Sequence, residues 1–538
     1  MRHSFDFLPI VHVVNKPSRE RFVTASLLAL AVFSYAFWLT DGHFDFLRPV
    51  KGFGLTFNNM LEHLLRGTFD VDPSIVGNEG FYRDGRVFAY WGIFFAVIRW
   101  PLTLFPGGLA IDVTPLSCFV AVCIAAYTKL RMLHLALQSS PTSAAPGVLY
   151  WALAMSILFA GPQIAFLRPT LYQEVCLWAG ALAALFVYCA TRGIIRGRFT
   201  GLSLCAMALA AGLALLARVS MGVGLYAALG LLVLAMLVRE PAPGGEPQRA
   251  ASGATPLLAR LVSSQCMLPM LVLLGFAVLA GLVNYQRWGH PLVFADYRLY
   301  ITNEHYPDRL PRTAAYGLFN LSRIPFGGIY YFFPIWVLHR NDGHLLFEAH
   351  QWRLLDATEL PPSSFFLTDP LLMLLLLYAG WSLLSARCSA SLNRLHVLVI
   401  GTGLTAACLL MLSAISMNFR YRIEFYPLLE FGALLGFVLL CRLPLAATSW
   451  RRVDALVMTL AALGILGSHA IMLLYKVSDF GPPIERISHG VFAYYRQQIP
   501  VHWLWRGLKG VVLASAATLC LYGVGAQLFK RRRIRGSS

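Results

Sequence analysis

The chain has 538 residues, 57% of them hydrophobic and only 13% charged, with a mean hydropathy of +0.62. Soluble domains are about 45–50% apolar and about 25% charged, so a large water-soluble enzyme is excluded, and a membrane barrel is excluded by the absence of segments of about ten alternating residues. The net charge of +18 points to sidedness in a membrane rather than to nucleic acid, as the charge distribution below shows.

The first apolar segment, Phe22 to Leu39, follows the basic residues Arg2, Lys16, Arg19 and Arg21, which hold the N-terminus in the cytoplasm. Thr40-Asp41-Gly42 comes next instead of a small-residue cleavage site, so the segment reads as an anchor and not a signal peptide. Phe88 to Phe105 could form a full span, but that would place Lys129 and Arg131 outside and invert every later loop. Arg99 and Trp100 in its second half, with Pro101 and the following Pro106, favour a position in the outer interface, which makes Leu109 to Ala126 the second span. Further spans are predicted at Leu149–Phe166, Leu171–Ala190, Leu202–Ala217, Met221–Val238, Met267–Leu282, Phe366–Leu384, Val397–Met417, Phe425–Leu440, Ala455–Leu474 and Leu508–Phe529. The expected fold is an all-α polytopic membrane protein with about twelve transmembrane helices, each near the 20 residues that cross a bilayer. Both termini are expected in the cytoplasm, with interfacial helices in the first outer loop.

On this topology half of the 44 lysines and arginines lie on the cytoplasmic side, against only Asp6, Glu20, Glu240, Glu246 and Asp454. Almost all the net charge is therefore on one face, as the positive-inside rule requires, and it reports contact with anionic lipid. Two large outer loops are expected, 40–108 and 284–364, with a smaller one from Lys476 to His502. The 239–264 segment, rich in Pro, Gly and Ala, is expected to be a disordered cytoplasmic linker. The span interiors look nearly free of charge, which argues against a transporter. No sequence repeat supports an inverted-repeat design. The ten cysteines fall in or beside apolar segments without a CxxC pair, so they read as small packing residues.

The outer loops concentrate the chemistry. Asn78 to Trp91 sets Glu79, Arg83, Asp84 and Arg86 directly against an aromatic run, a costly arrangement unless the charges face a watery site or one another. Glu174 stands at the mouth of the fourth span, Arg218 in the short hairpin between the fifth and sixth, Arg287 where the seventh ends, and Arg420, Arg422 and Glu424 where the tenth begins. Guanidinium forks suit phosphate oxygens. Arg86, Arg218, Arg287, Arg420 and Arg422 could together hold a pyrophosphate or phosphodiester. Each could instead snorkel, or pair with Glu174, Glu424 or Asp296. Candidate general bases are Asp41, Asp45, Asp70, Asp72, Glu79 and Asp84. Phe69-Asp70-Val71-Asp72-Pro73 reads as a turn, and Asp84 before Gly85 also fits one. The histidines are scattered without an HExxH motif, so no metal site is read. No cofactor is called for, with a divalent cation left open. No glycine-rich phosphate loop or GxSxG supports ATP-driven or serine-hydrolase chemistry.

Asn58-Asn59-Met60-Leu61-Glu62-His63-Leu64-Leu65-Arg66-Gly67 and Arg86-Val87-Phe88-Ala89-Tyr90-Trp91 carry a family resemblance. They resemble two motifs in the first outer loop of the polytopic GT-C glycosyltransferases: an aliphatic–Met–Leu–x–x–Gly helix and a Lys-Pro-Pro-Leu-Tyr-Tyr-Trp segment. Arg86 stands where a phosphate-contacting lysine would be. NYQRWGHPLVF from Asn284 and FRYRIEFYPLL from Phe419 are also similar to stretches of bacterial members. The motif similarity covers about Thr56–Trp100 and these two stretches, and the topology most of the chain. The sequence departs from the family where the catalytic aspartate usually sits: Val50-Lys51-Gly52-Phe53-Gly54-Leu55 holds no acid. The base is then Asp41 or Asp45 upstream or Glu79 or Asp84 downstream, or the chain lacks transfer activity.

The resemblance implies a multi-pass protein of the bacterial inner membrane. It would transfer a sugar from a polyprenyl-phosphate carrier to a lipid or glycan acceptor at the periplasmic face, with inversion. Catalytic roles fall to Asp84, Glu79 or Asp41, and substrate or phosphate binding to Arg86, Arg218, Arg287, Arg420, Arg422 and Glu174. The expected partners are the lipid-linked donor, the acceptor and membrane lipids, with no nucleic acid. The competing functions are a lipid-linked-glycan flippase or other transporter, and a polysaccharide polymerase or ligase.

Overall fold

The computed structural model describes residues 19–50, 52–139, 147–166, 168–239, 265–333, 354–355, 357–358, 364–385, 392–443 and 446–478. The expected last span, residues 240–264 of the expected linker, most of the basic N-terminal segment and residues 479–502 of the smaller loop lie outside these residues.

Among the described residues seven helices are long and apolar enough to cross a membrane: Thr114–Gln138, Gly147–Phe166, Leu171–Ile195, Val219–Val238, Met267–Trp288, Arg394–Leu412 and Thr448–Leu473. Thr24–Leu39, Gly201–Ala217, Pro370–Leu384 and Tyr426–Cys441 are apolar but shorter. Lipid offers no hydrophobic drive between helices, so close approach must come from small residues. The Val219–Arg239 and Arg394–Leu412 helices pack extensively. A Cβ on Gly403 would stand 2.2 Å from Ala228 Cα, and one on Gly436 2.2 Å from the Leu375 carbonyl oxygen.

Two expectations need correction. Lys129 does not lie in a cytoplasmic loop: the Thr114–Gln138 helix runs straight through it, and its ammonium is enclosed with the Glu430 carboxylate at 2.6 Å. Nor are the span interiors free of charge. Glu430 lies one turn into the Tyr426–Cys441 helix, and Asp369, just before Pro370–Leu384, pairs with Arg422 at 2.6 Å, both buried. Each of these charges is tolerated in an apolar bundle because it has a partner of opposite sign.

The Phe88–Phe105 run is not one helix. It divides into a strand ending at Phe88, a helix Phe94–Ile98 and a 3-10 segment Trp100–Leu104. Gly92 marks the break, because a Cβ there would meet the Leu216 carbonyl oxygen at 1.7 Å. Arg99 turns inward, donating to Asn58 Oδ1 at 3.2 Å and pairing with buried Glu174 at 2.6 Å. Upstream, Phe81–Arg83 and Arg86–Phe88 form an antiparallel hairpin with Phe81 opposite Phe88. Its two-residue turn, Asp84-Gly85, has φ of 50° and 77°, the left-handed pair that such a tight hairpin needs.

The hairpin locks onto the second outer loop. Phe81 stacks on Tyr300 at 4.7 Å and meets Trp288 edge-on at 5.3 Å. The Ile301 amide donates to Gly80 O at 3.0 Å, and Thr302 Oγ1 to Asn78 O at 2.6 Å. On the other side the Val71 amide donates to Val87 O, and His63 of the Thr56–Leu65 helix faces Asp70 at 3.1 Å and Asp72 at 3.3 Å. The acids of Phe69–Pro73 thus fasten the first loop to its own helix.

Candidate functional site

Gly77, at φ +46°, lets the chain reverse into the 3-10 turn Gly77–Glu79, and Glu79 emerges half-buried beside the second loop. Its Oε2 accepts a hydrogen bond of 2.7 Å from the Tyr300 hydroxyl. Tyr172, at the mouth of the Leu171–Ile195 helix, lies within electrostatic range of the same carboxylate. Tyr90 lies within electrostatic range of Glu79, Tyr172, Tyr297 and Tyr421. Burial opposes ionisation of Tyr90, Tyr297 and Tyr300 and pushes their pKa up, so these phenols stay protonated and act as hydrogen-bond donors.

Three arginines stand over these rings. Arg420 Cζ is 4.7 Å from the centre of Tyr172 and 5.4 Å from that of Tyr421. Arg218 is 4.8 Å from Tyr421, and Arg309 4.8 Å from Tyr300. Cations over aromatic faces gain attraction from the ring quadrupole, which orients each guanidinium without neutralising it. Arg218 is further fixed by the Glu424 carboxylate, which also accepts from Ser220 Oγ at 2.9 Å. Two carboxylates, Glu79 and Glu424, with several phenols and three guanidiniums therefore form one linked group where the two long loops meet the helix ends. Such a set can take a proton from a hydroxyl while stabilising negative charge nearby.

No protein-family model and no curated protein matches the chain. It is similar to solved structures of an archaeal oligosaccharyltransferase. One is the Archaeoglobus fulgidus enzyme in the apo form (14% identity, TM-score 0.45), and another is that organism's AglB with an inhibitory peptide and a dolichol-phosphate (13% identity, TM-score 0.45). Each match covers 89% of this chain and 60% of the other, so this chain spans about three-fifths of their length. It is also similar to ArnT from Cupriavidus metallidurans bound to undecaprenyl phosphate (14% identity, TM-score 0.40, 94% of this chain and 75% of that one).

Of the residues expected at a site, Glu79, Arg218 and Arg420 come together. The others do not join them. Asp84 occupies the hairpin tip with its side chain 82% exposed, 3.1 Å from Arg83 Nε. Arg86 is exposed on the second strand, and Asp41 is exposed just past the first helix, at φ +52°. Glu174 is buried and its carboxylate is taken by Arg99. Arg287 is buried, donating to Trp91 O at 2.7 Å. Arg422 is held by Asp369 and Thr368, both at 2.6 Å, and stacked on Phe365 at 4.2 Å. The acid-free stretch Val50–Leu55 is approached by Asp112, whose Oδ2 accepts from the Val50 amide at 2.8 Å and whose Oδ1 accepts from Thr114 N, so this acid splices the loop.

Tyr300 and Arg309 escaped sequence reading. The aromatic richness of the second loop was their only signal, and no spacing rule links position 300 to position 79. Among the described residues no group of three or more His, Cys, Asp or Glu is placed to hold a metal ion, so no residue is assigned to a divalent cation.

Proposed function

We propose that this chain is a membrane glycosyltransferase that moves a sugar from a polyprenyl-phosphate carrier to a hydroxyl of a lipid or glycan acceptor, at the periplasmic face of a bacterial inner membrane. The observation that carries this reading is the chain of contacts that links Glu79 through Tyr300, Tyr172 and Tyr421 to Arg309, Arg420 and Arg218 at the helix ends. The resemblance of the first outer loop to the GT-C enzymes supports it.

In this mechanism Glu79 takes the proton of the acceptor hydroxyl as its oxygen forms a bond to the anomeric carbon. The bond from that carbon to the phosphate oxygen breaks, and the polyprenyl phosphate leaves with the electron pair. Arg420, Arg218 and Arg309 meet the developing charge, where fixed cations in a poorly hydrated site are most effective. A single displacement inverts the anomeric centre.

The test is transfer from radiolabelled polyprenyl-phosphate hexose in membranes carrying wild-type protein or Glu79→Gln at equal levels. Loss of transfer by roughly 100-fold or more is expected for removal of a general base, and full transfer by Glu79→Gln would refute the assignment. The buried pair Lys129–Glu430 favours a second reading, a lipid-linked-glycan transporter, because ionisable groups inside a bundle often line a translocation path. A transporter would move the intact donor between leaflets without cleaving the sugar–phosphate bond, and the same labelled substrate distinguishes the two.

A further inference from the structure

We infer that Tyr300 and Tyr172 are positioning residues for Glu79, so that the second outer loop supplies part of the catalytic apparatus carried by the first. The inference rests on Glu79 as the base. The Tyr300 ring has a packing role that a phenylalanine would fill equally well: it stacks on Phe81 at 4.7 Å and belongs to the cluster of Phe81, Phe88, Trp288 and Ala295. Its hydroxyl does something packing does not require, reaching Glu79 Oε2 at 2.7 Å. Tyr172 approaches the same carboxylate from a different element, the Leu171–Ile195 helix.

A carboxylate on a short 3-10 turn between two glycines would otherwise sample several rotamers. The Tyr300 hydroxyl holds it in one, and Tyr172 stands close to the same carboxylate from a separate element. Arg309 over Tyr300 and Arg420 over Tyr172 hold the two rings in turn. The titratable groups around Glu79 are thus Tyr300, Tyr172, Tyr90 and Tyr297, with Arg309 and Arg420 behind the first two rings. The loop-to-loop bonds from Ile301 to Gly80 and from Thr302 to Asn78 keep Tyr300 in register with the base. Docking of the second loop therefore assembles the site.

The experiment compares Tyr300→Phe, Tyr172→Phe, the double variant and Glu79→Gln in membranes, with radiolabelled polyprenyl-phosphate hexose as donor. Protein level and thermal midpoint are measured alongside. Each single hydroxyl removal is expected to lower kcat about tenfold with acceptor KM changed less than about twofold, the pattern of a lost transition-state interaction. Wild-type kcat in both tyrosine variants, with Glu79→Gln inactive, would overturn the positioning role and leave the base in place. A change confined to KM would overturn it too. Full activity of Glu79→Gln would instead remove the base assignment itself. If Tyr300→Phe lowers the thermal midpoint, Tyr172→Phe, on a separate helix, decides the question by the same criteria.

Discussion

Lys129→Met should be among the most damaging single changes in the bundle, and Lys129→Met with Glu430→Met should largely undo the harm. Lys129 Nζ lies 2.6 Å from Glu430 Oε1, and the two side chains are 9% and 2% exposed. At that distance and an effective dielectric of about 20, the gross attraction is roughly 6 kcal/mol. The desolvation of two ions, several kcal/mol each, cancels most of it, so the intact pair is close to neutral against an apolar pair. Removing Lys129 alone keeps the full penalty on Glu430, which the Asp369 charge makes worse. The expected loss is about 3–5 kcal/mol. In detergent-solubilised protein this should lower the thermal midpoint by at least about 5 °C, while the double variant returns to within about 2 °C of wild type. A double-mutant cycle isolates the coupling. A harmless single variant, or a double variant as unstable as the two singles added, would refute the pairing logic and mark Lys129 as a group used for something other than stability.

Asp84→Asn should retain transfer within about threefold, since its carboxylate is 82% exposed at the hairpin tip and exposed pairs contribute roughly 0–1 kcal/mol; transfer abolished by Asp84→Asn but not by Glu79→Gln would move the base to the turn. Gly403→Ala should destabilise by about 1–3 kcal/mol through overpacking, because its Cβ would sit 2.2 Å from Ala228 backbone atoms, and an unchanged thermal midpoint would contradict the close helix contact. Partial burial opposes ionisation of Asp70, but hydrogen bonds from Thr68 and His63 outweigh it and hold its carboxyl below the ordinary range. A depressed carboxyl contributes stability that is present above its unfolded value and lost as pH falls through its folded one. Asp70→Asn should therefore flatten the acid limb of the stability profile below about pH 4, and parallel acid limbs in the two proteins would refute the clamp.

Much of the helical fold was legible because apolar length is a strong signal. The expected Leu202–Ala217 span is the observed Gly201–Ala217 helix, and Leu171–Ala190 begins at the same residue as Leu171–Ile195. Depth was harder to read. Lys129 looked like a rim residue because basic residues at a helix end usually are, and nothing near it in sequence reveals that Glu430 waits across the bundle. The site was half legible. Glu79, Arg218 and Arg420 stood out as charges beside apolar runs, whereas Asp84 and Arg287 stood out equally and serve a turn and a buried carbonyl. Charge next to an apolar segment shows that a partner must exist. It does not say whether that partner is a substrate or the chain itself, and only the tertiary pairing of Arg99 with Glu174 and of Arg422 with Asp369 separates the two.

Helix length explains why the charged groups can gather in the outer part of the bundle. The Pro370–Leu384 and Tyr426–Cys441 helices have 15 and 16 residues, about 23 and 24 Å at 1.5 Å per residue. Thr114–Gln138 and Leu171–Ile195 have 25 each, about 37 Å, enough to cross roughly 30 Å of hydrocarbon. The short helices must stop below the outer ends of the long ones, and 3-10 segments complete their path: Phe419–Glu424 leads into Tyr426 and packs against Gly161–Phe166. Irregular backbone at such depth is tolerated only inside protein or beside a water-filled cavity. Asp369, Arg422 and Glu424 stand at the ends of these shorter helices, each with a partner of opposite sign. The shorter helices therefore account for the ion pairs gathered at their ends, and the interlock of the two loops accounts for the placement of Glu79 against Tyr300.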